Sequence, residues 1–235
     1  MPLLLLLLGA AAGALLAALF LRGRGGPGAA TSSAPIFRRI TNLSGAENSP
    51  ALSPDGRSVA FVHRSDNRVH LWVQRIDGHR PIDLTPDCAA PSYSPAFSPD
   101  GSLIAYGSRC GEGGIFLVGA SGENVRRVTS FGAEPAWSPD GRELVFSTEP
   151  VANPYGRMGM SELWRVAIGG SGEPSKIYSA DAIQASVSPH GLRIAFWALP
   201  VGGSQRDIWT IPYKGLSPGE KPVPVTQDRA VDWNP

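Results

Sequence analysis

The chain has 235 residues and carries 21 Lys plus Arg against 20 Asp plus Glu, a net charge of +1 that excludes a nucleic-acid surface built on bulk positive charge. Gly (28) and Pro (22) together exceed a fifth of the residues, yet 42% hydrophobic residues and six Trp exclude a wholly disordered chain. Two cysteines are too few for a disulfide-built scaffold and lack zinc spacing. What is left is a domain of short strands joined by tight turns.

Residues Pro2 to Leu21 are uncharged and almost entirely Leu, Ala, Gly and Phe. At about 1.5 Å per residue in a helix, that run crosses roughly the 30 Å core of a bilayer. Residues 1–22 are therefore expected to form an N-terminal hydrophobic helix that anchors the chain in a membrane. The competing readings are a cleaved signal peptide, which would want a basic start and a shorter apolar run, and a buried core helix. Arg22 and Arg24 follow the run, so charge counting alone would leave the rest of the chain in the cytoplasm. That rule is weakest where a large domain follows. Residues 23–35 are Gly, Ala, Ser and Pro with Arg24 and Thr31 among them, a flexible linker. Gly23, Gly25 and Gly28 fit G-x-G-x-x-G, but no strand precedes them and Pro27 interrupts them, so no dinucleotide site is expected.

Residues 36–235 contain a repeat. Ser53-Pro54-Asp55-Gly56 recurs at Ser98–Gly101, at Ser138–Gly141 and, with His190 in place of Asp, at Ser188–Gly191. Eight residues after each Ser stands an aromatic: Phe61, Tyr106, Phe146 and Phe196. A small or β-branched residue precedes each one: Ala60, Ala105, Val145 and Ala195. Four such hits at one offset have a chance probability on the order of 10⁻⁴ to 10⁻⁵ before the choice of offset is allowed for, which marks a structural repeat. Pro presets the first corner of a type I turn, Asp bonds the neighbouring backbone, and Gly takes the positive φ that closes it. The Asp residues are turn-formers, not catalytic acids or metal ligands.

A short strand is expected before each turn and a second through the aromatic. A third follows at Leu71–Val73, Ile115–Leu117, Leu163–Val166 and Ile208–Ile211. A fourth carries a repeated aliphatic-Thr ending at Arg39-Ile40-Thr41, Asp83-Leu84-Thr85, Arg127-Val128-Thr129 and Pro224-Val225-Thr226, with Lys176-Ile177-Tyr178 as a weaker copy. Four antiparallel strands every 40 to 50 residues predict an all-β, partial β-propeller of about four blades.

On these residues the chain from about Phe37 onward resembles the Pro-Asp-type propeller repeats of the TolB family, relatives of the WD-type repeat. Pro135 to Gly141 and Arg126 to Thr129 match that family's repeat almost residue for residue. The family's namesake also carries an N-terminal α/β domain with no counterpart here, so the resemblance is to the propeller alone. Phe37–Thr41 looks like a fourth strand lacking its first three, and Val231–Pro235 like the entry to another blade. The expectation is a fragment of a longer membrane-anchored protein, with a self-closed four-blade ring as the alternative. Apolar segment, linker and repeats together resemble bacterial membrane regulators and Ser/Thr kinases that place such repeats outside the cytoplasm.

No G-x-S-x-G occurs, so the nucleophile elbow of the hydrolase domain that follows propellers in prolyl oligopeptidase-type enzymes is absent from this sequence. His63 and His70 flank a loop and read as ordinary surface or turn residues; neither they nor His79 and His190 have the spacing of a metal site. No catalytic residue, metal or cofactor is expected. The loop between second and third strands is longest in the third unit, where the aromatics are 18 residues apart against 10 to 13 elsewhere. Its Asn153, Tyr155, Arg157 and Met160 are the candidate binding residues, with a plain surface loop as the other reading. Cys88 precedes the first strand of the second blade and Cys110 follows its second strand, at one end of the blade. They are a candidate disulfide in an oxidising compartment, or two free thiols. The resulting reading is a non-catalytic module, periplasmic or otherwise extracytoplasmic, that binds a protein or small ligand on a propeller face, with no nucleic-acid partner and a membrane contact through residues 1–22. The gating propeller of a serine peptidase and the external domain of a kinase or regulator are the alternatives.

Overall fold

A computed structural model of the chain describes residues 36–151, 160–170, 172–199, 206–226 and 232. The hydrophobic segment expected over 1–22, the linker and Val231 lie outside them. Among the described residues no helix is long and apolar enough to cross a membrane. The residues divide into two units, Met1–Arg39 and Ile40–Pro235, and the repeat lies in the second.

That unit holds sixteen strands and no helix among its described residues. They form four sheets, each an antiparallel meander in chain order. The first contains β1 (Ala46–Leu52), β2 (Ser58–Ser65), β3 (Arg68–Arg75) and β4 (Ile82–Asp83). The second contains β5 (Ser92–Phe97), β6 (Leu103–Ser108), β7 (Gly114–Gly119) and β8 (Arg126–Arg127). The third is β9 (Ala133–Trp137), β10 (Glu143–Ser147), β11 (Leu163–Ala167) and β12 (Ser175–Tyr178). The fourth is β13 (Ile183–Val187), β14 (Arg193–Ala198), β15 (Asp207–Pro212) and β16 (Val223–Pro224).

Each sheet begins with the repeated tetrapeptide as its first hairpin. The Gly amide donates to the Ser carbonyl at 2.8–2.9 Å in all four copies, with the Gly at φ between +65° and +74°. In the first three, the Ser hydroxyl donates to the Asp carboxylate at 2.6 Å and accepts the amide that opens the second strand at 2.9 Å. The same carboxylate oxygen accepts a second amide, from Arg57, Ser102 or Arg142. Those bonds, the serine's first, hold Asp55, Asp100 and Asp140 below the ordinary aspartate range. A Cβ on Gly101, Gly141 or Gly191 would stand at ordinary contact distance, 3.5–3.8 Å, from Pro54, Pro99 or Pro139 of the preceding turn, so consecutive turns lie proline beside glycine and only the positive φ demands the glycine.

The conserved offset between small residue and aromatic has a packing explanation. Side chains alternate across a strand, so the two face opposite ways. Tyr106 packs back onto Ala60 of the first sheet, Phe146 onto Ala105 of the second, and Phe196 onto Val145 of the third. Each aromatic thus fills the space left by the small residue of the sheet before it. These side chains, 0–2% exposed, form three successive cores between neighbouring sheets.

Thr85, Thr129 and Thr226 close their blades identically. Each hydroxyl accepts the amide that enters the third strand, from Leu71, Ile115 or Ile208, at 3.0 Å. The preceding aliphatic, Leu84 or Val128, packs against the next sheet.

Arg39-Ile40-Thr41 departs from its sequence expectation, since no strand forms over 36–44. Among the described residues no third strand lies beside it, so it joins no ladder. Instead the chain from Ile40 to Ser44 crosses the outer face of the first sheet. The Gln74 amide donates to the Ile40 carbonyl at 2.7 Å and His63 Nε2 to the Ser44 carbonyl at 2.9 Å, and Phe61 between them is buried. His63 and His70, expected at the surface, are only 8% and 5% exposed, His63 against Ser44 and His70 against Asp83.

Candidate functional site

The four first strands share one distortion at one position, distinct from the single register shift between β11 and β12 at Leu163 and Trp164. In β1, β5, β9 and β13, three residues advance against two on the partner strand, which is a β-bulge. The residue inside each bulge has left-handed backbone: Ser49 (φ 50°), Ser94 (51°), Glu134 (51°) and Gln184 (52°). None is glycine. Such a conformation costs of order 1 kcal/mol or more at a non-glycine residue and persists only where the surroundings enforce it. Repeated four times at one position, it belongs to the architecture of the blade.

The bulges turn these four polar side chains toward one another. All four line a single open cavity of about 770 Å³, whose wall continues down the first strands to Pro99, Pro139 and Pro189 of the turns. Every sheet contributes its first strand, so the cavity follows the line about which the sheets are arranged.

Glu134 is the cavity's carboxylate and is 9% exposed. Its Oε1 accepts the Val151 amide at 3.0 Å, and the side chains of Ser94 and Gln184 also hydrogen-bond to it. Gln184 Oε1 accepts the indole N–H of Trp197 at 2.6 Å. The resulting network runs from the fourth sheet through the third to the second. Burial raises the Glu134 pKa above its ordinary value, and the three hydrogen bonds partly offset that. Chemically the cavity offers hydrogen-bond acceptors and donors on an apolar wall of Pro, Ala, Phe and Trp. That arrangement suits recognition of a partly polar ligand.

Of the four loop residues proposed from sequence, Asn153, Tyr155 and Arg157 lie outside the described residues, and Met160 is 60% exposed. The base of their loop is described. Val151 both lines the cavity and donates to Glu134, so the long loop departs from the cavity's rim. Cys88 and Cys110 are joined by a disulfide with Cα atoms 5.8 Å apart, linking the entry to β5 with the end of β6. Sequence reasoning missed the bulge residues because Ser, Glu and Gln carry no turn signature. Their equal spacing, four residues before each repeated Ser, was the available clue.

Comparison with known proteins places these features in a wider group. The model of the PD40 TolB beta propeller domain matches residues 33–150, which is 118 of the 235 residues. A tricorn protease homologue of Streptomyces coelicolor is 27% identical over 170 residues, covering 66% of this chain and 15% of the homologue. A Tol-Pal system protein TolB of Alcanivorax borkumensis is 31% identical over 117 residues, covering 48% of this chain and 26% of that protein. The chain therefore spans well under half of these two relatives. Among solved structures, TolB of Acinetobacter baumannii superposes with a TM-score of 0.62 at 20% identity, over 80% of this chain and 45% of that one.

Proposed function

Because the chain belongs to the TolB β-propeller domain family, we propose that it is a non-catalytic binding or sensing module, held to a membrane through residues 1–22 and working outside the cytoplasm. The observation that carries this reading is the cavity built by four equivalent bulges, with Val151, the first residue of the long loop's base, in its lining. Strained polar residues repeated around one opening are what a recognition surface on a rigid scaffold requires. Its occupant is a protein segment or small ligand that hydrogen-bonds with Glu134 and Gln184 and packs on the apolar wall. Asn153, Tyr155, Arg157 and Met160 are assigned to the same binding role from the sequence. The disulfide between Cys88 and Cys110 supports an oxidising, extracytoplasmic location.

The test is capture of extracytoplasmic proteins by the full chain, by Tyr155→Ala/Arg157→Ala and by Gln184→Ala, each variant first checked for an unchanged melting temperature. A partner retained by the unaltered chain and released at least tenfold more readily by both variants supports the reading. Equal retention overturns the site. Fusion of a reporter enzyme active only outside the cytoplasm, placed after residue 35, tests the location, and its recovery in the membrane pellet tests the anchor. A second reading, the gating propeller of a peptidase, is favoured by the match to the tricorn protease homologue. It predicts that a larger protein containing this chain hydrolyses peptides.

A further inference from the structure

A second cavity, of about 540 Å³, lies on the outer face of the first sheet, away from the first strands. It is lined by His63, Asp66, Arg68, His70, Trp72 and Asp83, together with Ser65. β2 and β3 form a tight hairpin about Asp66 and Asn67, in which His63 stands directly opposite His70. Opposite residues on paired antiparallel strands point to the same face with Cβ atoms about 4.5–5.5 Å apart. Two imidazoles are thus held side by side over one hollow.

The hydrogen bonds of each ring decide which of its nitrogens keeps a free lone pair. His63 Nε2 lies 2.9 Å from the Ser44 carbonyl, which can only accept, so Nε2 carries the proton and the neutral ring leaves Nδ1 as a lone pair. His70 Nδ1 lies 2.7 Å from the Asp83 carboxylate, so Nδ1 carries the proton there and Nε2 is the lone pair. Asp83 is itself fixed, because its other oxygen accepts the Thr85 amide at 2.9 Å. His70 Nε2 is buried and has no hydrogen-bond partner. A buried polar atom left unsatisfied loses its hydration without return, so a ligand bound to it would be favoured.

We propose that His63 and His70 form a two-histidine site for a transition-metal ion that favours imidazole, with Cu²⁺ bound most tightly and Zn²⁺ and Ni²⁺ more weakly. A carboxylate on the far nitrogen of a histidine is the usual device for fixing the ring's tautomer and raising its basicity toward a metal, and Asp83 holds that place behind His70. Asp83 is a positioning residue here and not a ligand. The cavity's other charged groups are Asp66 and Arg68, so with Asp83 its carboxylates outnumber its cations. Among the described residues, no three His, Cys, Asp or Glu side chains converge on one metal position. The protein therefore supplies two nitrogens, and the open positions fall to water or to a donor atom of an added ligand. Imidazole preference and the ordinary divalent series give the order of ions.

The test uses the full chain titrated with CuCl₂ and, separately, ZnCl₂ in a non-chelating buffer at neutral pH, read by calorimetry. One Cu²⁺ per chain with a Kd of roughly micromolar order is expected, with Zn²⁺ weaker. Pulsed electron paramagnetic resonance of the copper-loaded, unaltered chain should show two equatorial imidazoles. His63→Ala and His70→Ala should each weaken binding at least tenfold, and Asp83→Asn about tenfold. His79→Ala, at an exposed histidine elsewhere, should leave it unchanged. Absence of a stoichiometric site, a resonance signal with fewer than two imidazoles, or affinity indifferent to both histidine changes overturns the proposal. The resonance measurement needs no variant, so it decides the matter even if a substituted chain fails to fold.

Discussion

The end of the first blade and the end of the fourth carry the same aliphatic-Thr pattern and bury the aliphatic very differently. Leu84-Thr85 follows β4 and Val225-Thr226 follows β16. Both threonines accept the third-strand amide at 3.0 Å, so both blades close alike. Yet Leu84 is 2% exposed against the second sheet and Val225 is 59% exposed. Hydrogen-bonded closure is a property of one blade, whereas burial of the aliphatic needs a following sheet.

The sharpest way to break this comparison is to truncate both aliphatics. Leu84→Ala should cost about 3 kcal/mol, as a fully buried leucine does, and Val225→Ala less than about 0.5 kcal/mol. Urea unfolding of the two variants measures the difference; equal losses would mean that the second sheet contributes nothing at Leu84. Next in size is the covalent tie that the second blade has and the fourth lacks. Cys88 and Cys110 are 22 residues apart, and replacing both by Ser should cost about 3 kcal/mol on the chain-entropy account. Reductant should lower the melting temperature of the unaltered chain and leave the double variant unaffected.

A smaller effect separates the two threonines. Thr85→Val strands a buried amide at Leu71, for about 2 kcal/mol, while the amide of Ile208 beside the less buried Thr226 can turn to water, for about 1 kcal/mol or less. The smallest effect concerns the turns. His190→Asp should raise the melting temperature slightly by adding the carboxylate bonds the other three turns possess, and Asp100→Asn should lower it slightly. Because the folded pKa values of Asp55, Asp100 and Asp140 are depressed, their contribution is complete above the unfolded aspartate value. It is lost as the pH falls through the lowered folded values. Melting curves across the acid range should therefore converge for the unaltered chain and a triple Asp→Asn variant at low pH. The fourth turn needs no such carboxylate to form: Ser188 still accepts the Arg193 amide at 3.0 Å and Gly191 still donates to the Ser188 carbonyl.

The sequence by itself determined the four hairpin corners, the strands around them and the direction of packing. Pro, Gly and a short acceptor define a turn from within four residues, and alternation sends Ala105 and Tyr106 to opposite sheets whatever surrounds them. Tertiary structure alone decided three other matters. The bulges at Ser49, Ser94, Glu134 and Gln184 are imposed on residues without preference for left-handed backbone by the pairing of whole strands. His63 and His70, seven residues apart in sequence, are set face to face by the β2–β3 hairpin, and the chain at Ser44 covers His63. Ile40 itself has the pattern of a strand and is not one, since a ladder needs a second chain segment that local sequence cannot provide.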